Sequence, residues 1–224
     1  MRIPLASYGR RELILATVLL AALAAVGGML FRPAALLPAA VWVYVLSFFR
    51  DPPRRPELPT GLLSPADGVV TDISPVGPDS GLGVAATRIG VFMSVFNCHV
   101  NRSPCRGTVV RVDHHGGGFV DARRPDASET NESATVLLDC PDGDRTFPVA
   151  IRQVAGLVAR RIVTDVRIGQ VLGRGERIGM IKFGYRVELL VPEDRLGAIA
   201  VRVGQKVKAG RTVLVAAGTQ EAEA

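Results

Sequence analysis

The stretch Phe92-Met-Ser-Val-Phe-Asn-Cys-His-Val-Asn-Arg-Ser-Pro104 holds the densest set of side chains in this chain that could move a proton or grip a polar group. Read as a strand, alternate residues share a face, which lines up Asn97, His99 and Asn101 and turns Cys98 the other way. That weakens a Cys98–His99 nucleophile pair despite their adjacency. A histidine on an apolar strand is either a hydrogen-bonded core residue or a general acid or base. The polar neighbours on its face favour the second. Asp67, in Ser64-Pro-Ala-Asp-Gly68, is either an ordinary turn residue or a carboxylate that orients an imidazole, as in triad logic. Spacing alone does not place it beside His99.

Other candidates carry less. Asp113-His114-His115 invites a metal reading, but adjacent histidines on a strand diverge and no spaced partner completes a zinc set. Gly116-Gly-Gly118 is a flexible loop or a phosphate nest, without the context of a known nucleotide loop. Arg160-Arg161 is a solvated pair or a contact for lipid phosphate. Lys182 has the place of a carrier-domain lysine but lacks the flanking acidic residue or paired methionines of such a site.

These residues need a scaffold, and the composition points to a β-rich one. The 224 residues include 24 Gly and 15 Pro, a share that suits many turns. Aromatics are 5% of the chain, which disfavours a stacking surface for single-stranded nucleic acid, and no nucleic-acid partner is expected. A net charge of +6 suits an anionic surface. Cys98, Cys105 and Cys140 are odd in number and contain no C-x-x-C pair, so no disulfide scaffold is expected and a reducing compartment is.

The hydrophobic excess lies early. Leu13 to Phe31 contains no charge and is long enough to span a bilayer as a helix. Arg32-Pro33 interrupts it, and a second, shorter run follows from Ala34 to Phe49. Arginines flank both outer ends (Arg2, Arg10, Arg11; Arg50, Arg54, Arg55), so the positive-inside rule predicts a hairpin with both ends, and the following domain, on the cytoplasmic side of the cell membrane. The hairpin either spans the bilayer or lies in one leaflet. Residues 1–50 are thus read as a membrane-anchoring helical hairpin, 51–60 as a Pro- and Arg-rich linker, and 61–224 as one β-rich domain.

Within that domain, Gly68–Ile73, Thr87–Val95, Gly107–Val112, Thr135–Leu138 and Val187–Val191 read as strands. Two phrases repeat. Val166-Arg-Ile-Gly-Gln170 with Gly175 matches Val201-Arg-Val-Gly-Gln205 with Gly210, and Ser64-Pro65 with Gly68 echoes Ser103-Pro104 with Gly107. The expected fold is mainly β, a barrel-like β-sandwich of interleaved lipoyl-like halves behind the helical hairpin.

Taken in order, several phrases resemble the phosphatidylserine decarboxylase proenzyme family, in its short bacterial and archaeal branch. They are Phe48-Phe-Arg-Asp-Pro52, Ser64-Pro-Ala-Asp-Gly68, Phe92-Met-Ser with His99-Val-Asn-Arg-Ser-Pro104, Ala127-Ser with Asn131-Glu132, Gln153-Val-Ala-Gly156 with Ala159-Arg-Arg-Ile-Val163, and Gly179-Met-Ile-Lys-Phe-Gly184 with Arg186-Val. The resemblance implies a lyase that turns phosphatidylserine into phosphatidylethanolamine and CO2. It implies a covalent pyruvoyl group, made when the proenzyme cuts itself at a Gly-Ser bond, here the 184/185 position. It further implies that Asp67 and His99 activate the attacking hydroxyl, that His99 is a candidate proton donor in the decarboxylation, and that Asn101, Arg160 and Arg161 meet the phospholipid. A homo-oligomer is left open.

The departure is at position 185, where the family pattern calls for serine and this chain has Tyr185. A serine hydroxyl sits on the β-carbon and reaches the preceding carbonyl through a five-membered ring. A tyrosine phenol is held away from its own backbone and has no β-leaving group. Cleavage after Gly184 and formation of the pyruvoyl group are therefore both expected to fail. Two further readings stand beside the enzyme: a non-catalytic phospholipid-binding relative, and a membrane-anchored carrier domain using Lys182.

Overall fold

The structure is a computed structural model that describes residues 4–118, 130–142, 145–156, 161–182 and 186–216. The chain divides into two compact units, Met1–Pro53 and Arg54–Ala224.

The first unit is the expected hairpin, α1 (Arg10–Leu30) and α2 (Leu36–Phe48). Phe31 is extended (φ −156°, ψ 108°), which ends α1 and starts the reversal. At that reversal Gly27 and Gly28 face Ala34 and Ala35; a methyl on either glycine would stand 3.4 Å from the alanine Cβ. Across the helices Trp42 Nε1 donates to Thr17 Oγ1 (3.0 Å), which donates to the Leu13 carbonyl (2.7 Å). The open end is closed by Ala6 N–H to Phe49 O (2.8 Å) and Asp51 N–H to Pro4 O (2.7 Å). Ser7–Leu30, whose most apolar 18-residue window has a mean hydropathy of 2.5, is long and apolar enough to cross a membrane. No residue of α1 is fully buried; Leu13, Ala16, Leu20, Ala24, Gly27 and Gly28 are half-buried, while Ile14, Leu15, Val18, Leu19, Leu23 and Val26 are exposed, an apolar outer surface that suits lipid. The 13 residues of α2 reach only about 20 Å at ~1.5 Å each, short of a bilayer core.

The second unit contains β1 (Leu62–Leu63), β2 (Gly68–Val76), β3 (Ala86–Phe92), β4 (Val100–Arg102), β5 (Gly107–His115), β6 (Ser133–Asp142), β7 (Arg145–Val154), β8 (Arg161–Thr164), β9 (Val171–Leu172), β10 (Arg177–Lys182), β11 (Arg186–Pro192), β12 (Lys206–Val207) and β13 (Val213–Val215). Eight of them form a curled antiparallel half-barrel in the order β12-β2-β3-β11-β7-β6-β5-β9; β4-β10-β8 and β1-β13 form smaller sheets. Alternation builds the core: Val187, Leu189 and Val191 of β11 point to the same apolar cluster as Ile89, Val91, Val136, Leu138 and Ile151. Ile178 and Ile181 of β10 and Leu214 of β13 fill it from the small sheets.

The repeated phrases are a structural repeat, bond for bond. Gly169 and Gly204 both sit at positive φ (84° and 86°), as the turn requires. In each turn the glutamine side chain accepts from the backbone three residues back, Arg167 N–H to Gln170 Oε1 (3.1 Å) and Arg202 N–H to Gln205 Oε1 (3.2 Å). One turn docks on β5, through Gly169 N–H to Val109 O; the other docks on β2, through Gly204 N–H to Val70 O, both 2.8 Å. Ser64 and Ser103 each bond the carbonyl two residues on, at 2.7 Å. The halves cross-link reciprocally, Leu63 N–H to Pro104 O and Arg102 N–H to Pro65 O, both 2.9 Å. The expectation of interleaved halves therefore holds.

Other expectations are corrected. The strand read as Thr87–Val95 ends at Phe92, because Ser94–Asn97 closes a turn; Asn97 N–H donates to Ser94 O (2.9 Å) and Asn97 Oδ1 accepts from Ser94 N–H (2.8 Å). Asn97 is thus a turn residue and does not share a strand face with His99. The stretch read as a linker, 51–60, is mostly exposed, but its second half is hydrogen-bonded to the β domain. The Arg174 guanidinium donates to the carbonyls of Leu58, Pro59, Thr60 and Gly61, and Glu57 pairs with Arg211. Cys105 and Cys140, expected to stay reduced, form a disulfide with Cα atoms 6.6 Å apart. Their 35-residue separation carries no spacing signature; the β5–β6 ladder brings them together, and Gly107 leaves room beside the Cys140 sulfur. Lys182 is buried within β10, opposite Arg161, and not presented at a hairpin tip as a carrier lysine must be.

Candidate active site

One end of the large sheet gathers several of the phrases quoted above. Val69, Phe92, Arg186, Val154 and Ser133 form a single cross-strand row. Ser64–Gly68 enters the sheet at this row, and the Met93–Arg102 segment leaves from it. Asn131-Glu132 runs into Ser133, Val154 runs out into Ala155-Gly156, and Arg186 follows directly on position 185. The rim is tied together behind the row: Asn131 Nδ2 donates to Ala155 O and Ala155 N–H to Glu132 O, both 2.9 Å. Gly68 is required here, since a Cβ would stand 2.0 Å from the Phe92 carbonyl.

His99 is fully buried just before β4, and its carbonyl accepts from Ile181 N–H (3.3 Å). β10 ends one residue later at Lys182, and β11 begins at Arg186. Gly184 and Tyr185 lie outside the described residues, as does Arg160. His99 and the end of β10, which lies two residues before Gly184 in sequence, therefore meet at this rim. Arg161 joins it through its backbone, paired with Lys182 in β8.

Asp67 comes to the rim in a turn, with one oxygen 2.7 Å from the Arg54 guanidinium and the other accepting Ala209 N–H at 2.8 Å. The repeat puts Arg106 at the corresponding place in the other half, so a carboxylate here is not demanded by the turn itself. Asn101, fully buried on β4, accepts from Gln153 Nε2 (2.8 Å), and Gln153 accepts from Thr164 Oγ1 (2.9 Å). Asn101 thus fixes β4 to β7 and β8 beside His99. Gln153, in the phrase Gln153-Val-Ala-Gly156, is the member of this relay that the sequence did not put forward by itself.

A second group was missed altogether. Glu188, fully buried, lies beside Arg186, whose Nε donates to it at 2.7 Å. The other arm of Arg186 meets Asp72 at 2.6 Å, and Arg88 and Arg152 approach Glu188 at 3.9 and 3.8 Å. Gly90 makes the space, because a Cβ there would collide with Asp72 and Arg186. The available signal was a lone carboxylate inside the apolar run Val187-Glu-Leu-Leu-Val191. Removing one member of such a buried set strands the others. Glu188→Ala is expected to cost about 3–5 kcal/mol of stability, read as a lowered denaturant midpoint; an unchanged midpoint would show that the network carries no load.

The sequence comparisons decide which family this rim belongs to. The phosphatidylserine decarboxylase family model matches residues 43–215. Similar proteins include the phosphatidylserine decarboxylase proenzyme of Rhodopirellula baltica, 44% identical over 213 residues, covering 94% of this chain and 87% of that protein. Those of Trichlorobacter lovleyi and Cereibacter sphaeroides are each 45% identical, over 86% and 81% of this chain and 87% and 77% of theirs. The chain belongs to the phosphatidylserine decarboxylase family. In this decarboxylase family member the matched region runs from within α2 to the end of β13, so it takes in the whole rim and both halves of the repeat.

Proposed function

We propose that this chain is a phosphatidylserine decarboxylase proenzyme, a carboxy-lyase precursor held at a membrane, and that Tyr185 keeps it in the uncut form. The observation that carries the reading is the match of the phosphatidylserine decarboxylase family model to residues 43–215, a region that includes Asp67, His99 and the 184/185 position. The family's pyruvoyl group does not fit the residues present. Tyr185 has no β-hydroxyl to attack the Gly184 carbonyl or to be eliminated, and Phe183, Gly184, Arg186 and Val187 supply neither hydroxyl nor thiol. No chemical step is therefore assigned to that group in this chain.

In this proposal His99 is the base that a hydroxyl at position 185 would need, and Asp67 supports it. In the structure Arg54 and the Ala209 amide each contact one Asp67 oxygen, and a carboxylate keeps acceptor capacity for a further partner. Arg160 and Arg161 are proposed to meet the lipid phosphate, and Asn101 to act on substrate only through the positions it fixes. Vesicles containing phosphatidylserine test the function directly. The chain as it stands should release no CO2, and its Tyr185→Ser form should. Release by the unaltered chain would overturn the block.

Placement in the cytoplasmic membrane, with the β domain on the cytoplasmic side, rests on the exposed apolar surface of α1 and on the arginines at both outer ends of the hairpin. Protease added outside intact cells should leave the β domain whole, while the same protease added to opened cells should digest it. Digestion from outside would reverse the topology.

A further inference from the structure

The buried charges around Arg186 have no part in the chemistry assigned above. Asp72 of β2, Gly90 of β3 and Glu188 of β11 form one cross-strand row. Gly90 carries no side chain, so the middle of the row is a notch. The Arg186 guanidinium fills it: Nη2 meets Asp72 Oδ1 at 2.6 Å and Nε meets Glu188 Oε1 at 2.7 Å. A Cβ on residue 90 would stand 2.4 Å from Asp72 Oδ1 and 2.9 Å from Arg186 Nη2. Gly90 is the only glycine of β3, so the strand offers this opening at one place. Glu188 is fully buried and Arg186 is 4% exposed.

Such a set is a poor source of stability, because desolvation of the charges offsets much of their attraction and apolar residues of similar volume serve as well. What it does is discriminate between registers. Slipping β11 by one residue would turn Arg186 and Glu188 into the core. Slipping it by two would keep every face. Leu189 would take the place of Val187 and Val191 that of Leu189, exchanges of aliphatic side chains that a core tolerates at small cost. The notch opposes that slip, since Arg186 would leave Asp72 and Glu188 would leave Gly90. Arg186 is also the first residue of β11, paired with Phe92 on one side and Val154 on the other, and it follows position 185 directly in sequence. A break between 184 and 185 would put it one residue from a new chain end, where order is ordinarily lost first. We infer that Arg186, seated in the Gly90 notch by Asp72 and Glu188, is a positioning residue: a register lock that keeps the start of β11 in place once the bond before residue 185 is cut. The inference rests on the reading of 184/185 as the processing point and adds what holds the chain beyond it.

Full-length Tyr185→Ser protein, with and without Asp72→Asn, tests the lock. Asparagine keeps the shape of the aspartate and removes its charge. Both proteins should cut to the same extent. Hydrogen exchange in the peptide 186–192 should be slow in the cut parent and at least about tenfold faster in the cut Asp72→Asn protein. CO2 release per cut chain should fall with it. In the uncut Tyr185 chain, where residue 186 is still joined to what precedes it, Asp72→Asn should leave that exchange close to its parent's. A merely structural role predicts the same acceleration in cut and uncut chains, and that result would overturn the lock. Unchanged exchange in the cut protein, or loss of cutting on Asp72→Asn, would overturn it too. Arg186→Lys keeps the charge but not the two-armed fork; it supplies the second variant if Asp72→Asn does not fold, with the same expected split between cut and uncut chains. A folded Tyr185→Ser parent that stays uncut would overturn the processing point and the lock together, whereas a parent that cuts while its Asp72→Asn form exchanges no faster would overturn the lock alone.

Discussion

Tyr185→Ser is expected to turn a single polypeptide into two, with the break between positions 184 and 185. The physical change is small and specific. A hydroxyl moves to the β-carbon, where it reaches the Gly184 carbonyl through a five-membered ring, and Gly184 presents no side chain to obstruct the approach. The flanking strands are already in place: Lys182 is paired with Arg161, and Arg186 is paired with Phe92 and Val154. The cut therefore needs no new fold. The effect should run from no detectable product to substantial conversion on a denaturing gel, followed by CO2 release from phosphatidylserine. A folded Tyr185→Ser protein that stays uncut would remove the assignment of the processing site.

Adding His99→Ala to Tyr185→Ser should remove the cutting again. A serine hydroxyl is a weak nucleophile until a base takes its proton, and loss of a member of such a unit lowers rate by at least about a thousandfold. A merely structural His99 predicts a different outcome: a lower melting point with the cut still made in the folded fraction. Asp67→Ala in the same background separates two roles. Slow cutting with unchanged melting places Asp67 in the chemistry. Normal cutting with a loosened N-terminal segment confines it to the Arg54 ion pair and the Ala209 amide. Equal cutting with and without His99 would make His99 structural.

Much of this was legible in the sequence because it rests on local rules. Val166-Arg-Ile-Gly-Gln170 and its echo at 201–205 specify a turn that needs glycine at positive φ and a glutamine that bonds back, and both turns form so. The helical hairpin follows from two apolar runs separated by Arg32-Pro33. What depended on register was not legible. The meeting of Cys105 with Cys140, the grip of Arg54 on Asp67 and the joining of Asp72, Arg186 and Glu188 over Gly90 all cross strands distant in sequence. Asn97 was misplaced for a different reason: Val95 and Phe96 continue a strand-like pattern, while the Ser94–Asn97 hydrogen bonds make a turn. Within the site, His99 and Asp67 were readable as residue types in phrases, but the relay from Asn101 through Gln153 to Thr164 appears only once β4, β7 and β8 are brought together.

The central claim is that a member of a self-cutting family is stopped by one residue, and the intact mass of the purified, unaltered chain tests it most directly. A single species near the full 23.8 kDa, with an unmodified Tyr185 in the peptide that spans positions 183–186, is the predicted result. Two chains that meet at the 184/185 bond, the second with a blocked N-terminus, would contradict it.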